Sequence, residues 1–373
     1  MSYHTIALPA GAVGSQSHLG VHRFGPAGGK KAYIQAGLHA DEFPGLLVAQ
    51  HLIDQLAQLE QKQLLLAEIV VVPYANPIGL RQRTFGHVTG RCDWHTGQNF
   101  NRGMALDSAE LIQTLAPRLG DDGAHNSRLL RAAMLQQVTQ RSGQMELASL
   151  HQTLLGLSID ADLVLDLHCD EVALPHLFYG QHQPEIGRQL ACSLGYEICL
   201  GEDVRGTVAF DGSHTQPWVL IQAEFPDYPF ASPCFAATLE LRGRTDVSTE
   251  LAQQDSQGIV HFLAGQGLIS ASDYQPPACT PQQHGVDQVS LILASHAGLV
   301  TYKRALGEWL AADDLIAEIV LLDQPSPQTI EVRSPSAGRL FSQTNHFLSA
   351  PGQVIAMVAT HAAQNPPGTQ LAY

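Results

Sequence analysis

From about Ala32 to His261, short apolar runs alternate with longer stretches whose apolar residues recur at helical spacing. That alternation predicts an α/β domain with a mostly parallel sheet. Lys31–Gly37 reads as a strand ending in glycine, and 44–61 follows as a helix with Leu46, Leu47, Leu52, Ile53, Leu56 and Leu59 at helical steps. The β-branched segment 67–75 predicts a buried strand that Asn76-Pro77 ends. Residues 107–157 carry the spacing of two or three helices, 161–167 and 236–241 that of further buried strands, and 248–267 that of a closing helix.

The tail changes period. Tyr274–Pro281 is a proline-rich linker, followed by short strand-like runs at 289–294, 298–303, 315–323, 329–332, 339–343 and 354–358. Such runs predict a small all-β module, with SHAGLV at 295–300 and SPSAGRL at 334–340 as matching turns of a pseudo-symmetric fold. The expected units are 1–275, catalytic, and 285–373, the β module.

Composition narrows the function classes. A 373-residue chain that is 45% hydrophobic and 15% charged is an ordinary globular one. Its formal net charge of -15 repels phosphate backbones and anionic lipids, so neither nucleic acid nor membrane is an expected partner. An anionic small-molecule substrate would then need arginines placed in the pocket. The six cysteines form no Cys-x-x-Cys pair, and residues 1–20 lack the basic start and apolar run of a signal peptide. Both point to a reducing, cytoplasmic setting; a homo-oligomer is compatible with everything here.

Eighteen histidines direct attention to metal chemistry. His39 and Glu42 stand three residues apart where a strand gives way to a helix, a spacing that lets both reach one atom. His168 closes the apolar run ADLVLDLH, and ligands of open α/β sheets gather at the carboxyl ends of strands. Two histidines and a glutamate with a fourth position open is the ligand count of catalytic zinc. Asp166 could orient His168, although it could equally face elsewhere. Glu240, buried in the apolar strand run TLEL, must be paired with Arg242 or Arg244, or act as an acid or base. Asn101 and Arg102 form an amide and guanidinium pair suited to a carboxylate, and one of Arg81, Arg83 and Arg91 could supply a second clamp.

The four pieces GLHADE, NFNR, DLH and TLELR, in that order over about residues 30–265, resemble the succinylglutamate desuccinylase/aspartoacylase family of zinc carboxypeptidase-like hydrolases. The resemblance implies a carboxypeptidase-like α/β domain, one Zn2+ per chain on His39, Glu42 and His168, Glu240 as general base, and Asn101 and Arg102 on the substrate carboxylate. Arg91 is carried as a further substrate-binding residue. Two departures stand out. No second substrate arginine can be assigned between residues 102 and 168, and Glu240 is followed by Leu241-Arg242-Gly243 where relatives commonly have Gly-Gly. The tail resembles the barrel-sandwich, biotinyl/lipoyl-like module behind many such domains, but Lys303 lacks the flanks of a modified lysine.

The function expected is hydrolysis of the amide bond of an N-acyl amino acid or similar small carboxylate-bearing substrate. A peptide-trimming zinc carboxypeptidase and a non-catalytic binding protein retaining the fold are the alternatives. A cysteine hydrolase built on Cys169 is disfavoured because neighbouring strand residues face opposite sides.

Overall fold

The computed structural model describes residues 1–141, 143–207, 209–270, 279–366 and 371. Its centre is a nine-stranded mixed sheet. In spatial order the strands are Ser2–Ala7, His18–Phe24, Glu68–Val72, Lys31–Ala36, Leu163–Asp170, Phe235–Gly243, His176–Gly180, Ile198–Glu202 and Gln282–Gly285. The central pairings, from Glu68–Val72 across to Phe235–Gly243, are parallel.

Two apolar cores lie on the two faces of this sheet. On one, Pro44–Gln61 buries Val48, Leu52 and Leu56 against Leu165 and Leu167, beside Thr249–Gly265. Gly45 permits that contact, since a Cβ there would stand 3.0 Å from the Leu167 backbone oxygen. On the other face, Ser108–Leu115, Gly123–Gln140, Glu146–Ser158 and Phe210–Glu224 pack over Tyr33, Val70 and Val164. The helical stretch 107–157 thus resolves into three helices. The first two begin at Asp107 and Asp122, whose carboxylates accept backbone N–H groups as N-caps.

Several elements escape the periodicity of the sequence. Ser2–Ala7 and His18–Phe24 form the antiparallel edge, and Ile198–Glu202 and Gln282–Gly285 the opposite one. The last strand joins the nine-stranded sheet although it follows the proline-rich segment; residues 274–278 of that segment lie outside the described residues. Cys192 and Cys279 form a disulfide across 87 residues, while Cys92, Cys169, Cys199 and Cys234 remain thiols. Pairing of this kind is not legible from spacing, because the fold alone brings the helix Pro184–Leu194 beside residue 279.

The tail is a two-sheet antiparallel module around Val300, Ile316, Ile319, Leu340 and Val358. Gly298 and Gly338 of the paired motifs each open a strand, Gly298–Tyr302 in one sheet and Gly338–Gln343 in the other. Lys303 is ion-paired to Glu318 at 2.8 Å. The module meets the central sheet at the end of Leu163–Asp170: just beyond it, Val172–Ala173 pairs with Ser342 and Gln343. No helix among the described residues is long and apolar enough to cross a membrane.

Candidate metal centre and active site

The first ligand loop is set by backbone chemistry. Gly37 takes φ 69°, a left-handed conformation that turns the chain sharply out of its strand. Glu42 N–H donates to the His39 carbonyl at 3.2 Å, closing a turn just ahead of the helix that Pro44 opens. His39 and Glu42 therefore share a turn, not a helix, yet still face one another. Asn76 Nδ2 donates to the Leu38 carbonyl at 2.8 Å, and Ala40 N to Gly90 O at 3.0 Å, fixing the loop from behind.

His168 arrives from Leu163–Asp170. His39 Nδ1 lies 3.0 Å from Glu42 Oε1 and His168 Nδ1 2.8 Å from Glu42 Oε2. One ligand atom from each of His39, Glu42 and His168 lies within 4.8 Å of the others, and all three residues are buried. Both outer ring nitrogens are held as well: His39 Nε2 lies 2.9 Å from Asn99 Oδ1, and His168 Nε2 2.9 Å from Asp166 Oδ2. Those oxygens favour the tautomer with the proton on Nε2, which leaves each Nδ1 lone pair for a metal. The donor set and its outer partners thus fit zinc.

Behind Asp166 the chain of polar contacts continues through Gln35 Nε2, 3.0 Å from Asp166 Oδ1, to the Tyr33 hydroxyl. Asp166 and His168, two apart on one strand, share a face. Gln35 pairs in register with Asp166 on the neighbouring strand. The signal for Gln35 was present as a lone polar residue in an apolar run; Asn99 sits unread inside the quoted NFNR region.

Electrostatics in this cluster follow from burial and facing charges. Burial opposes ionisation of Glu42, but the His39 and His168 imidazoles outweigh it and hold the carboxyl well below its usual range. Burial likewise opposes charge on His168, and the Asp166 and Glu42 carboxylates more than offset this, raising it well above 6.5. His39 is lowered, chiefly by burial.

Glu240 pairs in register with His168 across the parallel strands, which puts its carboxyl beside the ligand cluster. Neither arginine neighbour takes it. Arg242 bonds Asp255 through both terminal nitrogens, at 2.7 and 3.1 Å, and Arg244 pairs with Asp41 at 2.9 Å. Glu240 Oε2 is buried with no hydrogen-bond partner among the described residues. Burial, reinforced by Glu42, pushes its carboxyl up to about 8. Arg242 adopts φ 66°, within a bulge between Glu240 and Gly243. A non-glycine residue there is strained, and the two bonds to Asp255 hold it in place.

Asn101 Oδ1 accepts the Phe210 N–H at 2.7 Å, leaving its amide nitrogen as the donor end at the cavity wall. Arg102 is half-buried, its Nη1 donating to the Asn101 carbonyl at 2.8 Å. Of the three candidate arginines preceding this pair, only Arg91 lines the cavity, with Nη1 3.1 Å from Glu42 Oε1. Arg81 is engaged with Glu146 and Ser17, and Arg83 is exposed in a hairpin. Cys169 donates its backbone N–H to Glu42 Oε2 while its side chain joins the opposite apolar core, where burial keeps the thiol protonated.

His39, Glu42, His168, Glu240, Asn101, Arg102 and Arg91 all open on one cavity of about 670 Å³. Its outer wall comes from the β module, through residues 342–344, His346 and 352–356. Two acids, two and three residues after His168, hold that wall. Asp170 accepts from Ser342 Oγ at 2.6 Å, and Glu171 accepts from Thr344 Oγ1 and lies 3.0 Å from His346 Nε2. Sequence spacing could not reveal this, because the partners lie more than 170 residues downstream.

The succinylglutamate desuccinylase/aspartoacylase catalytic domain matches residues 28–199, the stretch holding His39, Glu42, Asn101, Arg102 and His168. A succinylglutamate desuccinylase/aspartoacylase family protein from Shewanella amazonensis SB2B has a similar structure, with TM-score 0.84 and 26% identity over 97% of this chain and 99% of its own. A second, from Shewanella frigidimarina NCIMB 400, has TM-score 0.84 and 22% identity over 96% and 97%. The product-bound ectoine utilization protein EutE (DoeB) from Ruegeria pomeroyi shares the fold at TM-score 0.66 and 16% identity, over 96% and 95%. No curated protein sequence matches the chain. Motif order, matched domain and shared fold agree: residues 28–199 match the succinylglutamate desuccinylase/aspartoacylase catalytic domain, and the whole chain is similar in structure to a protein of that family.

Proposed function

We propose that the protein is a zinc-dependent amidohydrolase that cleaves the amide bond of an N-acyl amino acid or similar small carboxylate-bearing substrate. The observation that carries this reading is the unpartnered Glu240 Oε2 beside the His39, Glu42 and His168 cluster, on a cavity that also holds Asn101 and Arg102. Zinc on those three residues supplies Lewis acidity, which polarises a carbonyl and acidifies water. Glu240 takes a proton from the attacking water at its free oxygen and returns it to the leaving nitrogen. A carboxyl pushed up to about 8 can both accept and release a proton near neutrality. Asn101 and Arg102 hold the substrate carboxylate and so fix the amide's position.

The outer wall favours a small amide over a peptide. Residues 342–344 and 352–356 line the same cavity, which leaves a peptide chain less room than a small amide. The test is metal analysis of the purified protein, followed by assay against N-acyl amino acids and C-terminal peptide substrates. One zinc per chain with turnover confined to the acyl amino acids supports the reading. Release of C-terminal residues from peptides would replace it with a carboxypeptidase, and metal-free protein of unaltered stability with a binding protein.

Two substitutions separate positioning from binding. Asp166→Asn should weaken zinc affinity about 10- to 100-fold, as loss of a ligand's outer partner does, in a competition titration against a chelator. Arg102→Ala removes a charged hydrogen bond made in ground and transition states alike. It should raise KM by the equivalent of about 1.5–3 kcal/mol, with a smaller fall in kcat, in steady-state kinetics.

A further inference from the structure

A second cavity, of about 320 Å³, borders the loop that carries Asn101 and Arg102. Arg141 and His151 line it, with Gln98 and Gly103 of that loop and with Leu147 and Ala148 from the first turn of Glu146–Ser158; among the described residues no acid does. That helix has no side-chain cap, and the backbone N–H groups of Leu147 and Ala148 donate to none of the described residues. An uncapped N-terminus carries partial positive charge and favours an anion. The chain as a whole does not, at a formal net charge of -15, so an anion here would have to be held by these local donors.

Two side chains make the place more than a helix end. His151 is only 5% exposed, and its Nε2 lies 2.8 Å from the Phe100 carbonyl, to which it must donate. Nδ1 is then a bare acceptor on a ring that lines the cavity, without a partner among the described residues. Burial, with the Arg141 charge, holds the imidazole below 6.5 against the Phe100 bond, so it stays neutral near pH 7. Arg141 is half-buried, and its Nη2 donates to the Met104 and Ala105 carbonyls at 3.2 and 2.6 Å. Its Nε and Nη1 have no partner, and its charge no carboxylate within ion-pair distance, among the described residues; burial alone acts on it, lowering its pKa. The unused groups are therefore guanidinium and backbone donors together with one imidazole lone pair. Sulfate or a carboxylate, which only accepts near neutrality, would set an oxygen lone pair against that of Nδ1, whereas an oxyanion that keeps a hydroxyl satisfies donors and acceptor alike.

We infer that this second cavity binds free hydrogen phosphate, held by Arg141 and the first turn of Glu146–Ser158 and donating its hydroxyl to His151 Nδ1. The bound ion also braces the neighbouring loop, because Arg141 and His151 are the side chains that hold the carbonyls of Phe100, Met104 and Ala105 on either side of Asn101 and Arg102. Calorimetric titration of the purified protein near neutral pH with inorganic phosphate, sulfate and bicarbonate tests the assignment. Phosphate should bind about tenfold or more tighter than sulfate, which has the same shape but no hydroxyl. Bicarbonate has the hydroxyl but fewer oxygens for the donors, and should also bind more weakly. Equal binding of phosphate and sulfate, tighter binding of bicarbonate, or no binding of phosphate at millimolar concentration would each overturn the inference.

Variants place the ion. R141Q should lower phosphate affinity by about tenfold or more, as loss of a charged hydrogen bond does, while R102A leaves it unchanged. The reverse pattern would put the ion in the catalytic cavity and overturn the inference. Because R141Q also gives up two carbonyl bonds, H151Q is the second variant. Its amide nitrogen can still donate to the Phe100 carbonyl, so the fold should persist, but without Nδ1 the preference for phosphate over sulfate should fall toward unity; an unmoved preference would exclude His151 from the site. Saturating phosphate should slow amide hydrogen exchange across residues 98–105, and unchanged exchange would overturn the bracing. None of these readouts needs turnover, so they stand or fall apart from the hydrolytic reading.

Discussion

Glu240→Gln is expected to lower kcat by about 10²- to 10⁴-fold, the range for a positioned general base, while zinc content stays at one per chain and KM changes little. The size of the effect follows from how the residue is held. Register with His168 places the carboxyl beside the ligand cluster, and both arginine neighbours are bonded elsewhere, to Asp255 and Asp41. Among the described residues none bonds Oε2. Glutamine keeps the shape and the strand packing but cannot accept the proton, so the loss should fall on turnover alone. Steady-state kinetics with parallel metal analysis reads both quantities. Near wild-type turnover would remove Glu240 from the mechanism, and no neighbour replaces it readily. Asp170 and Glu171 are committed to the β module, and Glu224 is exposed at a helix end.

The joint replacement His39→Ala/His168→Ala should abolish both stoichiometric zinc and activity. Two of three protein ligands disappear, and the remaining carboxylate, Glu42, loses the imidazoles that hold it ionised. Zinc retained at one per chain in the double variant would mean that the metal sits elsewhere. In the wild-type protein, zinc uptake should also depend on pH with a definite sign. Asp166 and Glu42 raise His168 above 6.5 against the effect of burial, so the metal-free site holds a proton that the metal must displace. Apparent affinity should therefore rise with pH until His168 is neutral, with proton release measurable in buffers of differing ionisation enthalpy. By linkage, the raised His168 pKa stabilises the metal-free fold fully below about 6.5, and that contribution fades as pH climbs through the folded-state value. A zinc affinity independent of pH across this range would contradict the protonated state of His168.

What was readable in the chain, and what was not, divides along a physical line. Periodicity alone determined the central strands, the helix Pro44–Gln61, the helical character of 107–157 though not its division into three helices, and the strands of the tail, because each buries a face whose apolar spacing is local. It also determined the ligand candidates: His39 and Glu42 share one turn, and His168 stands at the end of a strand buried throughout. Edge strands such as Ser2–Ala7 left little trace, since its exposed residues carry no apolar pattern. Long-range register was equally silent. Whether Asp166 or Gln35 faces the ligands, whether Glu240 meets an arginine or a metal site, and which arginine reaches the cavity depend on which strands lie side by side. Charge pairing over distance did the rest. Arg244 is drawn to Asp41 and Arg242 to Asp255, the β module is tied to Asp170 and Glu171, and Glu202 and Asp211 are left facing the cavity. These outcomes belong to tertiary structure because a side chain's partner is chosen by proximity in space, and the sequence records only proximity along the chain.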